Sequence, residues 1–266
     1  MVAPRPLAPK DLTRGHEQAL GESPPALPPS IHPLVRLGGG LSEAPVRLST
    51  GIESVDRLLG GGFPRGHLSE ITGPLSSGRT SLALALSAAA TRAGEVVAWI
   101  DAAAAFDPAS AQEAGVDLGR LLWIRASRVR DALRGAERLL AARGFALVVL
   151  DLCRAVDPPA ANALAPTGWM RLARAAAASG TALAVLGRER LVGSHAALVV
   201  DLRAIRRRFA TSPAWLEGIE ARVALVRHRL GPSEGFAPVQ WKVPPLARGV
   251  SARAGPACGR GAAGAS

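Results

Sequence analysis

The sequence predicts an α/β protein with a mainly parallel sheet flanked by helices and an antiparallel extension. Three observations carry this. Short apolar runs of strand length alternate with helical stretches through the first two thirds of the chain, which implies right-handed crossovers and helices on both sheet faces. A glycine-rich turn separates one such strand from the helix after it. Further on, three strand-like runs follow one another with little helix between them.

Taken in order, HLSEIT (67–72) alternates in polarity and stops at Gly73, so it reads as a strand. SLALALSAAATRA (81–93) is helical and ends at Gly94. VVAWID (96–101) is an apolar strand, and a short helix opens at Pro108, a favoured first-turn residue, and ends near Gly115. LLWIRA (121–126) is the third strand. VRDALRGAERLLAA (129–142) is an amphipathic helix with Val129, Leu133, Ala136 and Leu140 on one face. ALVVLDL (146–152) is a buried strand, and a helix from about Trp169 leads to the strand TALAVLG (181–187). ALVVDLRAIRRRF (197–209), RVALVRHRL (222–230) and APVQWKV (237–243) form the antiparallel extension. Trp99 and Trp123, in parallel strands, are expected in the core. Trp215, between Pro213 and Leu216, is either an exposed anchor for a partner or tucked under its loop.

One domain, residues 46–245, accounts for these elements. Residues 1–45 are proline-rich and aperiodic, with PPALPPS at 24–30, and read as a disordered arm. Residues 246–266 read as a disordered basic Gly/Ala-rich tail. With 266 residues, 48% of them hydrophobic, the chain can bury a sizeable core. Its two cysteines, Cys153 and Cys258, make neither a zinc motif nor a disulfide framework. The N-terminus lacks the apolar core of a signal peptide, and Leu82–Ala90 is too short to cross a bilayer, so a cytoplasmic protein with no membrane partner is expected.

The net charge is +11, and Lys10 and Lys242 are the only lysines. Arginine pairs well with phosphate, so the balance suits a polyanion; an arginine-rich solvated surface accounts for it equally. Arg203, Arg206, Arg207 and Arg208 cluster on and after one strand, and Arg188 and Arg190 open the loop RERLVGSHAA. Together they are the candidate DNA-binding residues, able to neutralise phosphates without reading sequence. That loop has no aromatic residue, which argues against base stacking there.

Gly73-Pro-Leu-Ser-Ser-Gly-Arg79-Thr80 fits G-x-x-x-x-G-K-[ST] with arginine in place of lysine. Its glycines permit a tight turn, its amides converge on an anion, and the helix N-terminus adds its dipole. Gly73, Ser76, Ser77, Gly78, Arg79, Thr80 and Ser81 are the candidate nucleotide-binding residues. Thr80 and Asp151, which closes the strand ALVVL, are the candidate magnesium ligands. The competing reading is a glycine turn capped by Thr80 or Ser81, with Asp151 a strand-end turn residue. A broad planar guanidinium is also a poor substitute for the compact lysine ammonium at a reacting phosphate.

The stretch from 60 to 122 resembles the bacterial recombinase RecA: Gly62-Phe63-Pro64-Arg65-Gly66, the phosphate loop, then Asp101, Asp107, Pro108, Gly115, Val116 and Asp117 in the same order and spacing. The resemblance spans residues 46–243 and implies a RecA-like P-loop core that takes ATP and Mg2+. It adds Asp107 to the nucleotide-binding set, as a carboxylate facing adenine. It also places the family's water-activating glutamate on Ala103 and its adenine-stacking aromatic on Ser110. The γ-phosphate-sensing glutamine falls at Gly187 or Arg188, and the two interface lysines at Arg227 and Arg229. The loop after Arg188 corresponds to the family's second DNA loop, and the first, between Cys153 and Trp169, is reduced. Alanine cannot orient or deprotonate water, so little ATP hydrolysis is expected. Set against that family, no N-terminal polymerisation helix and no separate C-terminal domain are expected here.

Among RecA paralogues the sequence resembles the ImuA group, also called SulA-like. That resemblance implies an accessory role in damage-induced (SOS) mutagenic translesion synthesis. The implied partners are DNA, chiefly single-stranded, an inactive Y-family polymerase homologue of the ImuB type, and RecA. The alternative is an ATP-dependent, recombinase-like ATPase. A cell-division inhibitor, which the SulA-like label suggests, finds no support in the residues.

Overall fold

The computed structural model describes residues 46–102, 104–153, 166–209, 216–232 and 234–242. The proline-rich arm, the basic tail, Ala103, the segment expected to be a reduced DNA loop and Trp215 lie outside the described residues.

The described strands and α-helices are β1 (Arg47–Leu48), α1 (Glu53–Leu58), β2 (Phe63–Pro64), β3 (Leu68–Thr72), α2 (Arg79–Arg92), β4 (Val96–Asp101), α3 (Pro108–Glu113), β5 (Leu121–Arg125), α4 (Val129–Ala142), β6 (Phe145–Asp151), α5 (Pro166–Ser179), β7 (Ala182–Leu186), β8 (Leu198–Phe209), β9 (Leu216–His228) and β10 (Phe236–Lys242). The main sheet runs β10-β9-β8-β3-β7-β6-β4-β5. From β8 to β5 every pairing is parallel, while β9 and β10 are added antiparallel. The expected parallel sheet with its antiparallel extension is therefore observed.

The central strands are apolar in both registers because both faces are covered. Val97 and Trp99 of β4 and Val149 of β6 pack with Leu82 and Leu86 of α2. Their neighbours Ala98, Ile100, Val148 and Leu150 join Ala132, Leu133 and Ala136 of α4 and Leu172 of α5 on the opposite face. Trp99 is fully buried as expected. Trp123 differs, at 36% exposure, because β5 is the sheet's edge strand. Its ring packs 5.3 Å from that of Phe106, and the Arg125 guanidinium lies 5.3 Å from its centroid.

Three elements were not expected. β1 and β2 are two-residue strands paired antiparallel, too short to show a period. α1 starts after Ile52 with no side-chain cap, so the usual N-terminal signal is absent. Its anchor is Asp56, whose carboxylate accepts from the Ser49 hydroxyl at 2.6 Å and from the Thr50 amide and hydroxyl at 2.8 Å each. β9 also begins six residues before the expected Arg222, since LEGIEA reads as polar loop until β8 and β10 pair with it.

Candidate nucleotide and nucleic-acid sites

The glycine-rich loop joins β3 to α2 at the C-terminal end of the parallel strands, the expected strand–loop–helix order. α2 starts two residues earlier than its hydrophobic pattern indicates. Its N-cap is Gly78, in the left-handed region at φ 94°, and no side chain caps it. The competing reading of a turn capped by Thr80 or Ser81 is thus not what begins this helix. Gly73 has φ 145°, and a Cβ there would overlap the Leu202 carbonyl oxygen, so the close pass of β8 requires glycine. Ser76 adopts φ 58°. Thr80 is exposed in the first helical turn, Ser81 is half-buried beside it, and Ser77 is buried. The Ser77 hydroxyl has no hydrogen-bond partner among the described residues.

Arg79 does not reach outward. It is 5% exposed, and its Nη1 donates to the Gly187 carbonyl at 2.5 Å, at the end of β7. The residue at the lysine position therefore ties the loop to the position expected for the γ-phosphate sensor. Asp151 is close by, at the end of β6, accepting from the Cys153 amide at 3.0 Å. Burial pushes its carboxyl above the ordinary aspartate range and nearby Asp101 adds to this, while the Cys153 bonds and the Arg79 charge oppose it. Asp101 is buried at the end of β4 and accepts from the Ala105 and Phe106 amides at 3.1 and 2.9 Å. It thereby holds the backbone at Ala105 and Phe106 beside the end of β4. Burial pushes the Cys153 thiol above its ordinary range, and the neighbouring Asp151 carboxylate adds to this.

Asp107 caps α3, accepting from the Ser110 amide at 2.9 Å and from the Ser110 hydroxyl at 2.5 Å. These bonds hold it below the usual carboxylate range. The two positions expected at adenine are thus bonded to each other. Arg227 and Arg229, expected at a subunit interface, donate to the Gly193 and Ser194 carbonyls at 3.0 and 2.5 Å, within the loop after β7.

β8 runs parallel to β3, and its last bond to that strand is at Asp201. Beyond it, Arg203, Arg206, Arg207 and Arg208 overrun β3 on the P-loop side while still paired with β9. All four are exposed, as are Arg188 and Arg190 after β7, at the same end. Arg203 pairs with Asp201 at 2.7 Å, and Arg208 lies 4.0 Å from Glu220. One end of the sheet thus gathers the phosphate loop and all six candidate DNA-binding arginines.

Glu70 was missed by sequence reasoning. It is fully buried in β3, and its Oε1 accepts the Leu191 amide and, at 3.1 Å, the Val192 amide. The strand leading into the phosphate loop thereby fixes the loop that carries Arg188 and Arg190. An acidic residue inside a central strand was the available signal. Burial raises its carboxyl above the ordinary glutamate value, against the two amides and Arg190. A raised carboxyl holds its proton more tightly in the folded chain, so its contribution to stability is present at low pH and lost as pH rises through the folded value. Glu70→Gln keeps the acceptor without the charge. Its thermal midpoint relative to the parent should therefore rise with pH above the ordinary glutamate range. Glu70→Leu leaves two amides without acceptors and should destabilise at every pH, by about 1–3 kcal/mol per amide. Thermal denaturation of the three proteins across pH checks both.

Among the described residues no group of three or more His, Cys, Asp or Glu could hold a metal, and no helix is long and apolar enough to cross a membrane.

Residues 32–176 match the family model for the RecA N-terminal domain. Protein RecA of Rubrobacter xylanophilus is 41% identical over 128 residues, which cover 48% of this chain and 37% of that protein. Protein RecA of Synechocystis sp. is 38% identical over 127 residues, covering 48% and 36%. The matched stretch thus spans little more than a third of these relatives' length. The RadB recombinase crystal structure superposes with a TM-score of 0.56 at 24% identity, over 72% of this chain and 94% of that one. It shares the fold: a mainly parallel sheet between helices. Since the family model takes in more than half of the 266 residues, the chain belongs to the RecA N-terminal domain family.

Proposed function

We propose that this chain is a RecA-like accessory protein of DNA-damage tolerance, of the ImuA type, that supports mutagenic translesion synthesis with little or no ATP hydrolysis. It binds DNA, chiefly single-stranded, through Arg188, Arg190, Arg203, Arg206, Arg207 and Arg208. Its protein partners are an inactive Y-family polymerase homologue, RecA, or both.

The observation that carries this reading is the state of Arg79. In a working phosphate loop the cation at this position reaches the terminal phosphates. Here it is spent on the Gly187 carbonyl inside the fold. The residue expected to activate water is Ala103, which has no group to do so.

The loop nevertheless fits a polyphosphate in part. Its two glycines, the uncapped start of α2 and the exposed Thr80 suit a bound phosphate. Thr80 and Asp151 are the residues that would hold Mg2+. Bound ATP and Mg2+ would supply charge and binding energy, and this same fit favours the alternative of an ATP-dependent, recombinase-like protein.

Size-exclusion chromatography of the full chain mixed with an inactive Y-family polymerase homologue tests the partner. Co-elution as one complex is expected. Separate elution, with no complex formed with RecA either, would contradict the assignment.

A further inference from the structure

The phosphate loop is covered by a side chain from the far edge of the sheet. Trp241 is the penultimate residue of β10, opposite Ile219 of β9. Its indole packs with the core on the α2 side and reaches the start of that helix. The approach is close: a Cβ on Gly78 would overlap the indole Nε1 and lie 3.0 Å from Cδ1 and 3.2 Å from Cε2. The indole edge therefore rests on the Cα of the second loop glycine. Nε1 is buried and has no acceptor among the described residues, and the Ser77 hydroxyl one residue earlier is buried without a partner too.

We propose that Trp241 gates the phosphate loop: seated on Gly78, its indole shields the loop from a polyphosphate, which enters only when the end of β10 moves aside. The proposal rests on reading residues 73–80 as a phosphate loop. Three features make the seat reversible. β10 is the outermost strand, paired with β9 alone among the described strands and otherwise held by the Ser54 hydroxyl on its Pro238 carbonyl, and Trp241 lies three residues beyond that bond and one from the strand's end. The indole N–H loses no hydrogen bond on leaving, whereas a phosphate oxygen would give it an acceptor. Arg79 is held at Gly187 and exerts no competing pull at the mouth of the loop. A closed seat lowers apparent affinity by the fraction of molecules that are open, so deleting the indole removes that penalty.

The test is equilibrium binding of inorganic triphosphate and of a fluorescent ATP analogue, each with Mg2+, to the full chain and to Trp241→Ala. Tightening by about tenfold or more is expected, the gain if no more than about a tenth of molecules are open. Trp241→Phe, which keeps a smaller ring, should fall between and carries the test if the alanine variant does not fold. Tryptophan emission of the parent should also change on saturation with triphosphate, and the Trp241→Phe protein should lack that change. Binding by Trp241→Ala that is equal to or weaker than the parent's overturns the gate. In that event the phosphate-loop reading stands if the parent binds and Thr80→Ala weakens it. It falls as well if neither protein binds either probe.

Discussion

With ATP, Mg2+ and single-stranded DNA, the purified chain will release phosphate at well under about one per second, because loss of a general base alone costs ~10²- to 10⁴-fold. Two positions converge on this result. Ala103 has no proton acceptor, and Arg79 is turned into the sheet toward Gly187 and Asp151. Arg79→Lys alone should leave turnover at the parent's level, since it supplies no base. Arg79→Ala should act on stability, by about 1–3 kcal/mol, because it strips the donor from a buried carbonyl. A phosphate-release assay with a melting curve on each protein separates these effects. DNA-stimulated turnover at or above about one per second would contradict the expectation.

Replacing Arg206, Arg207 and Arg208 together by alanine should flatten the dependence of DNA affinity on salt. Each phosphate that is no longer neutralised takes about 0.7 from the slope of log affinity against log salt on a single strand, and about 0.9 on a duplex. All three are exposed on the part of β8 that overruns β3, so the variant should keep its melting temperature. Arg203 should contribute less, because its guanidinium already pairs with Asp201. Fluorescence anisotropy of a labelled oligonucleotide over a salt series measures the slope. An unchanged slope would mean that these arginines are a solvated strand end.

The fold was legible where burial on both faces leaves continuous apolar runs, as in VVAWID and ALVVL, and where α4 carries its apolar stripe. It was not legible where tertiary packing supplies the order. β1, β2 and the start of β9 exist because other strands pair with them, and α1 is pinned by Asp56 acting backward on Ser49 and Thr50. The glycine-rich loop could be read because its spacing is local. The inward turn of Arg79 could not, since its acceptor is 108 residues away. The same holds for Trp241 on Gly78 and for Glu70 beneath Leu191 and Val192, pairs distant in sequence that leave no local pattern. Asp107 and Ser110 were singled out separately by resemblance, and their mutual hydrogen bonds emerged only from the geometry of α3.

A RecA-type core that engages DNA without coupling it to ATP is tested most directly by one affinity. It is that of the full chain for a single-stranded oligonucleotide at one low salt concentration with Mg2+, with and without ATP, while released phosphate is followed in the same sample. Measurable, salt-sensitive binding that ATP leaves unchanged is predicted, with no phosphate release above background. Binding that appears or tightens severalfold only with ATP, accompanied by steady phosphate release, would contradict it.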